Sequence, residues 1–158
     1  GVAAWGDPAA GGDCSAVRER LDGGVAAVSA TCSAFAALTE SGGVVAWGDR
    51  ERGGDSSSAE EALAKGAHAI YATGSAFAAV LADGAVATWG FGPAGGDSRA
   101  VQDRLAEGVQ TVAATEYAFA AVKGDGSVVT WGYANSGGDS SKVQHLFQAV
   151  GAAGAAAS

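Results

Sequence analysis

The strongest constraint in the sequence is a short pattern that recurs at a fixed step of 42 residues. Each copy has a small, apolar run ending in Trp-Gly, followed four residues later by Gly-Gly-Asp. The tryptophans are Trp5, Trp47, Trp89 and Trp131, and the aspartates are Asp13, Asp55, Asp97 and Asp139. A period of this size predicts tandem supersecondary units that bury their apolar faces against one another.

The period predicts a single repeat domain over residues 1–158. Its copies cover approximately 1–24 (partial), 25–66, 67–108 and 109–150, and 151–158 form a degenerate Ala/Gly-rich end. The 26 glycines are placed at the turns of the repeat and do not indicate a flexible linker. Because the chain lacks Met and begins within a copy, we expect a processed product or a piece of a longer array.

Charge and hydropathy argue against nucleic-acid binding and against a membrane-spanning segment. A net charge of −8 argues against nucleic acid, because phosphate-binding proteins need clustered Lys and Arg. No run of 18 apolar residues is present, so no membrane span is expected, and no basic segment followed by an apolar core is visible that would indicate a signal peptide. We therefore expect a soluble protein, with organellar, secreted and cytoplasmic locations all open.

Each copy predicts three antiparallel strands and one short helix. The first helix covers 13–22 with Asp13 as its N-cap, and the strands that follow it are 25–31, 34–38 and 44–47. The second strand carries a phenylalanine that keeps the 42-residue step, at Phe35, Phe77 and Phe119. The last two strands form a hairpin, whose turn is clearest at Asp83-Gly84 and Asp125-Gly126.

The second strand is apolar on both faces. Phe35 and Ala37 point to one side, and Ala34, Ala36 and Leu38 point to the other. Such a strand belongs to a sheet covered on both sides, which stacked copies would provide. The predicted fold class is therefore mainly β with short helices, an α+β repeat whose units form a propeller-like or open solenoid stack.

The run from Ala76 to Gly90, followed by Gly95-Gly96, resembles the repeat of the regulator of chromosome condensation family. The first strand of each copy, such as Val109 to Ala114, is also similar to that family's first strand. The resemblance implies a β-propeller, typically of seven blades. This chain differs in having Ala-Phe where the family usually has His-Thr, a shorter period, and a helix in the connecting segment. An open solenoid is the alternative architecture.

No catalytic or metal motif is present, so we expect no enzyme activity and no cofactor. His68 and His145 occupy different positions of the repeat and are interpreted as surface or minor packing residues. A calcium loop pairing the acid after Trp-Gly with that of Gly-Gly-Asp is disfavoured, because Phe91 and Tyr133 replace the first acid in later copies.

Two cysteines, Cys14 and Cys32, are 18 residues apart in the sequence. The other copies do not repeat them, which favours free thiols, while a disulfide remains an alternative that depends on their separation.

Function is expected where the copies differ, since fixed cores with variable loops are typical of repeat proteins that bind partners. The residues after Trp-Gly and the connection between the first two strands vary most. The candidate interface residues are Phe91, Tyr117, Tyr133, Asp49, Arg50, Glu51 and Arg52.

These residues predict a non-enzymatic module that binds other proteins, as a scaffold or as an auxiliary subunit of a multi-subunit assembly. The alternatives are a regulatory, exchange-factor-like or enzymatic propeller, which the family resemblance implies, and a purely structural subunit of an organellar or membrane complex.

Overall fold

The structure, a computed structural model, describes residues 1–147 and contains three separate antiparallel sheets of three strands each. The first contains β1 (Val25–Ala30), β2 (Ala34–Thr39) and β3 (Val44–Gly48), in that order across the sheet. The second contains β4 (Ala67–Ala72), β5 (Ala76–Leu81) and β6 (Val86–Gly90), and the third contains β7 (Val109–Ala114), β8 (Ala118–Lys123) and β9 (Val128–Gly132). The predicted mainly β fold of repeated three-stranded units is confirmed. The end predicted at 151–158, and the last residues of the final copy, lie outside the described residues.

The helical part of each unit differs from the prediction, because two short segments replace one helix. A 3₁₀ turn follows each Trp-Gly, at Pro8–Ala10, Arg50–Arg52, Gly92–Ala94 and Ala134–Ser136. In the first two copies the segment predicted as a helix starts as 3₁₀ and gains a single α turn, in α1 (Arg18–Leu21) and α2 (Glu60–Leu63), while its third copy, Arg99–Leu105, is 3₁₀ throughout. A segment of about two turns has too few intrahelical bonds to hold α geometry against its packing.

The Gly-Gly-Asp aspartates, which the sequence predicted as N-caps, lie one residue before the N-cap position of the structure. The 3₁₀ segment begins at Ser15, and its N-cap position is Cys14, which makes no side-chain cap bond. The Asp13 carboxylate instead accepts the Ser15 amide at 2.8 Å, and Asp55 accepts the Ser57 amide at 2.9 Å. Hydrogen bonds from the Ser57 hydroxyl and amide, joined by Arg50, lower the pKa of Asp55 to about 2.

Within each sheet the repeated phenylalanine lies opposite the repeated tryptophan. The register pairs Phe77 with Trp89, and their rings stack at a centroid distance of 5.3 Å. The Trp89 indole N–H donates to the carbonyl of Gly53 in the preceding unit at 3.0 Å. Equivalent stacks and indole bonds occur at Phe35–Trp47 and Phe119–Trp131. Trp5 lies outside the sheets and is 85% exposed.

The two faces of the first and second sheets belong to different cores, as the alternation in the second strand predicted. One face of the first sheet, with Ala36 and Leu38, packs against the face of the second sheet that carries Phe77 and Ala79. The opposite face of the first sheet packs with Trp47 and the α1 region. The units therefore stack face to face, and small alanines let neighbouring sheets approach closely.

Backbone hydrogen bonds join neighbouring units at both ends of the sheets. At the end formed by the β1–β2, β4–β5 and β7–β8 turns, the Cys32 amide donates to Gly74 at 3.0 Å, and the Gly74 amide donates to Glu116 at 2.8 Å. At the opposite end the Ala67 amide donates to Gly42 at 2.8 Å. Equivalent loops of successive units are thereby placed side by side.

The short helical segments of residues 1–147 include none with the length and apolar character that crossing a membrane requires.

Candidate functional site

A cavity of about 530 Å³ lies at the end of the sheets where the first-to-second-strand turns meet the 3₁₀ turns that follow Trp-Gly. Five of the seven candidate interface residues predicted from the sequence line it: Glu51, Arg52, Phe91, Tyr117 and Tyr133. They come from three successive units, so the stacking of the units creates the cavity. We call it the aromatic cavity.

Two of its rings stand at the first residue after Trp-Gly. The Phe91 amide donates to Ser75 at 2.9 Å, and the Tyr133 amide donates to Tyr117 at 2.9 Å, so both backbones are fixed to the neighbouring turn. In the earlier units this position is an aspartate: the Asp49 carboxylate accepts the Glu51 amide at 2.9 Å. Phe91 and Tyr133 make no such cap bond and are 46% and 50% exposed.

Tyr117 supplies the third ring from the turn between β7 and β8. Its ring meets that of Tyr133 edge to face, with centroids 5.8 Å apart and planes inclined by 68°. Tyr117 remains 42% exposed. Hydrogen bonding to the neighbouring Glu116 carboxylate, with its negative charge, raises the pKa of the Tyr117 phenol.

The charged loop 49–52 forms one wall of the cavity through Glu51 and Arg52. The Arg52 side chain lies 3.5 Å from Asp49, and its guanidinium donates to the Ser75 hydroxyl at 3.4 Å. Arg50 instead pairs with Asp55 at 2.7 Å. Asp49 and Arg50 are thus adjacent to the cavity but do not line it.

Some residues that build the site were not among the predicted candidates. Ser75, Asn135 and Ser136 also line the cavity. The loops are held by a threonine that follows the first strand of each unit: Thr73 donates to the carbonyl of Ala94 at 3.0 Å, and Thr115 donates to Ser136 at 3.0 Å. The recurrence of this threonine at the 42-residue step was the available signal.

The remaining candidates for chemistry lie apart from the cavity lining. His68 and His145 are both exposed. Within residues 1–147 no group of three His, Cys, Asp or Glu side chains is arranged to hold a metal ion. Cys14 is buried and Cys32 is exposed, and both are free thiols, so the structure does not form the alternative disulfide.

No family model and no curated protein matches the chain. Among solved structures, the chain is similar to human WBSCR16, with 20% identity over 72% of this chain and 34% of that chain and a TM-score of 0.51. The ectodomain of the Physcomitrella patens receptor kinase CR4 matches 73% of this chain and 31% of its own at 18% identity, with a TM-score of 0.47. The chain thus spans about a third of the length of these two structures. The likeness to WBSCR16 concerns the fold, which agrees with a propeller-like arrangement of repeated β units.

Proposed function

We propose that the chain is a non-enzymatic repeat module that binds another protein through the aromatic cavity, as a scaffold or as a subunit of a larger assembly. The observation that carries this proposal is the convergence of Phe91, Tyr117 and Tyr133, from different loops, on one cavity. Aromatic residues are enriched among the anchors of protein interfaces, and a concave site gives them a defined partner surface.

Fold stability does not account for two of these rings. At the position of Phe91 and Tyr133, an aspartate caps the following 3₁₀ turn in the earlier units. Replacing a capping side chain costs about 0.5–2 kcal/mol in helices, and a ring that stays half-exposed recovers only part of its burial energy. A partner that covers these rings would supply the missing burial.

The resemblance to the regulator of chromosome condensation family enters the proposal only as an architecture. The residues that carry it are the strand hydrophobics, Trp89 and the turn glycines, which stack and bend the chain. None of them lines the aromatic cavity. We therefore propose a binding role, and we do not extend an exchange-factor activity to this chain.

The test is capture of a partner by the immobilised 1–158 chain from an extract of the source organism, quantified by mass spectrometry. We expect at least one protein to be retained at a stoichiometric ratio. The triple variant Phe91→Ala/Tyr117→Ala/Tyr133→Ala should lose it, because it removes all three rings and leaves the buried Phe-Trp stacks intact.

Trp5→Ala is the matched control, since it removes a more exposed aromatic residue that does not line the cavity. Thermal unfolding of each variant shows whether it is folded. Retention of every stoichiometric partner by a folded triple variant would contradict the proposal, and so would substrate turnover by the isolated chain.

A further inference from the structure

We propose that the aromatic cavity binds a cationic side chain, a lysine or arginine presented by the partner protein. This inference rests on the proposed function, because it specifies what the partner inserts into the site.

Two of the rings are inclined to each other as the walls of a cation site can be. Tyr117 and Tyr133 are inclined by 68° at 5.8 Å, so they form two walls meeting at a steep angle. Phe91 lines the same cavity but pairs with neither tyrosine among the described residues, so it is a separate part of the lining. A cation is attracted to the face of an aromatic ring within about 6 Å of its centroid, and several rings can contribute together.

The charges around the cavity favour a cation over an anion. Both arginines of the 49–52 loop are ion-paired with aspartates. In residues 1–147, neither Glu51, which lines the cavity, nor Glu116, which precedes Tyr117, forms an ion pair. The chain as a whole carries −8, which attracts basic partners at long range.

Arg52 also lines the cavity, and its positive charge would repel a cation. Its contacts with the chain reduce this repulsion. Its guanidinium donates to Cys32 Sγ and Ser75 Oγ, both at 3.4 Å, and its Nε lies 3.5 Å from the Asp49 carboxylate. These contacts direct its donors to the chain itself. Removing the charge of Arg52 and removing that of Glu51 should therefore change the affinity for a cation in opposite directions.

The size of the cavity admits more than the head of one side chain. Its volume of about 530 Å³ lies within the range of roughly 300–1,000 Å³ found for ligand sites. Ser75 and Ser136 in the lining add polar groups that a peptide backbone next to the inserted residue would contact.

The first experiment uses four small probes: the N-acetyl methylamides of lysine, trimethyl-lysine, arginine and norleucine. Each is titrated into the 1–158 chain while the aromatic carbon–proton resonances of Phe91, Tyr117 and Tyr133 are followed by NMR. We expect saturable shifts with the cations and binding about 3- to 30-fold weaker with norleucine, which keeps the apolar stem without the charge. The order among the three cations distinguishes a methylated lysine, a free lysine and an arginine as the preferred occupant.

Single substitutions then test ring and charge separately. Tyr133→Leu should weaken the best cationic probe about 3- to 30-fold, while Tyr133→Phe keeps the ring face and should retain most of the affinity. Glu51→Gln should weaken it about 2- to 5-fold, and Arg52→Gln should strengthen it by a similar factor. Glu61→Gln, an exposed acid of α2 outside the cavity lining, is the charge control and should change nothing.

Three results would overturn the inference: no saturable shifts with any cation, equal binding of norleucine, or reversed signs for Glu51→Gln and Arg52→Gln, which indicate an anion site. The partner captured in the test of the proposed function distinguishes a failure of the cation inference from a failure of the proposed function. If the partner requires the three rings but is unaffected by Glu51→Gln and Arg52→Gln, the cation inference fails and the binding role stands. If it does not require the rings, both fail.

Discussion

At the scale of single residues, Gly53 meets two separate constraints. Its φ of +105° lies in the left-handed region, which ends the 3₁₀ turn of residues 50–52. A Cβ at this position would also lie 2.5 Å from the Phe77 ring, which is fully buried and stacked on Trp89. A side chain at Gly53 therefore strains the backbone and displaces the core of the next unit.

A matched pair of glycines separates these two effects. Gly66 has a comparable φ of +86°, but the nearest atom to its added Cβ is the Gly42 carbonyl oxygen at 4.0 Å. We expect Gly66→Ala to lower the free energy of unfolding by about 1–2 kcal/mol, from backbone strain alone. Gly53→Ala should lower it by about 1–3 kcal/mol more, because Phe77 must move. Urea unfolding of the two variants measures the difference, and equal losses would show that the ring relaxes freely.

At the scale of elements, the loops that carry the cavity rings are attached to the sheets by a repeated threonine. Thr73 is 4% exposed, and its hydroxyl donates to Ala94 O at 3.0 Å and accepts the Ala76 amide at 3.0 Å. The equivalent Thr31 donates to Arg52 O at 3.0 Å but is only half-buried. The bond to the carbonyl of the 3₁₀ turn is therefore made in both units, in environments with different access to water.

Replacing the threonine by valine should reveal this difference in environment. Thr73→Val leaves the buried Ala94 carbonyl and the Ala76 amide without the hydroxyl, so we expect a loss of about 1–3 kcal/mol in the free energy of unfolding. Thr31→Val should cost less, about 0.5–1 kcal/mol, because water reaches its partners. Hydrogen exchange of the Gly96 amide, which donates to Phe91 O at 3.0 Å, should also accelerate in Thr73→Val. Unchanged exchange in a destabilised variant would show that the threonine does not hold this loop.

The elements differ in how far the sequence could predict them. The strands could be predicted because Phe35 and Leu38 point to opposite faces, and the same alternation recurs every 42 residues. The 3₁₀ turns could not be predicted, since a segment of three residues carries no helical periodicity. At the site, Phe91 and Tyr133 were recognisable because they are aromatic residues in a loop that varies between copies. Whether Arg50 enters the cavity depends on its ion pair with Asp55, which no linear pattern encodes.

At the scale of the whole molecule, the three sheets are buried to different extents. Every residue of β5 in the middle sheet is buried, because a neighbouring sheet covers each of its faces. In β2 the repeated Phe35 is only partly buried, and in β8 Val122 is 37% exposed. In a stacked repeat, stability is roughly the sum of unit terms and nearest-neighbour terms, so the same side chain should matter most where both neighbours are present.

Truncating the repeated phenylalanine in each unit tests this gradient. Phe77→Ala opens a cavity between Trp89, Gly53 and the first sheet, and should lower the free energy of unfolding by about 3–5 kcal/mol. Phe119→Ala should cost nearly as much, since its ring is 1% exposed. Phe35→Ala should cost at least about 1 kcal/mol less, because water already reaches part of its ring and less apolar area is lost. Urea unfolding, monitored by tryptophan fluorescence, gives the three values, provided that the free energy of unfolding has the same dependence on urea concentration in all three variants. Equal losses at Phe35 and Phe77 would mean that contacts within a unit, and not the stacking of neighbours, set the stability of this fold.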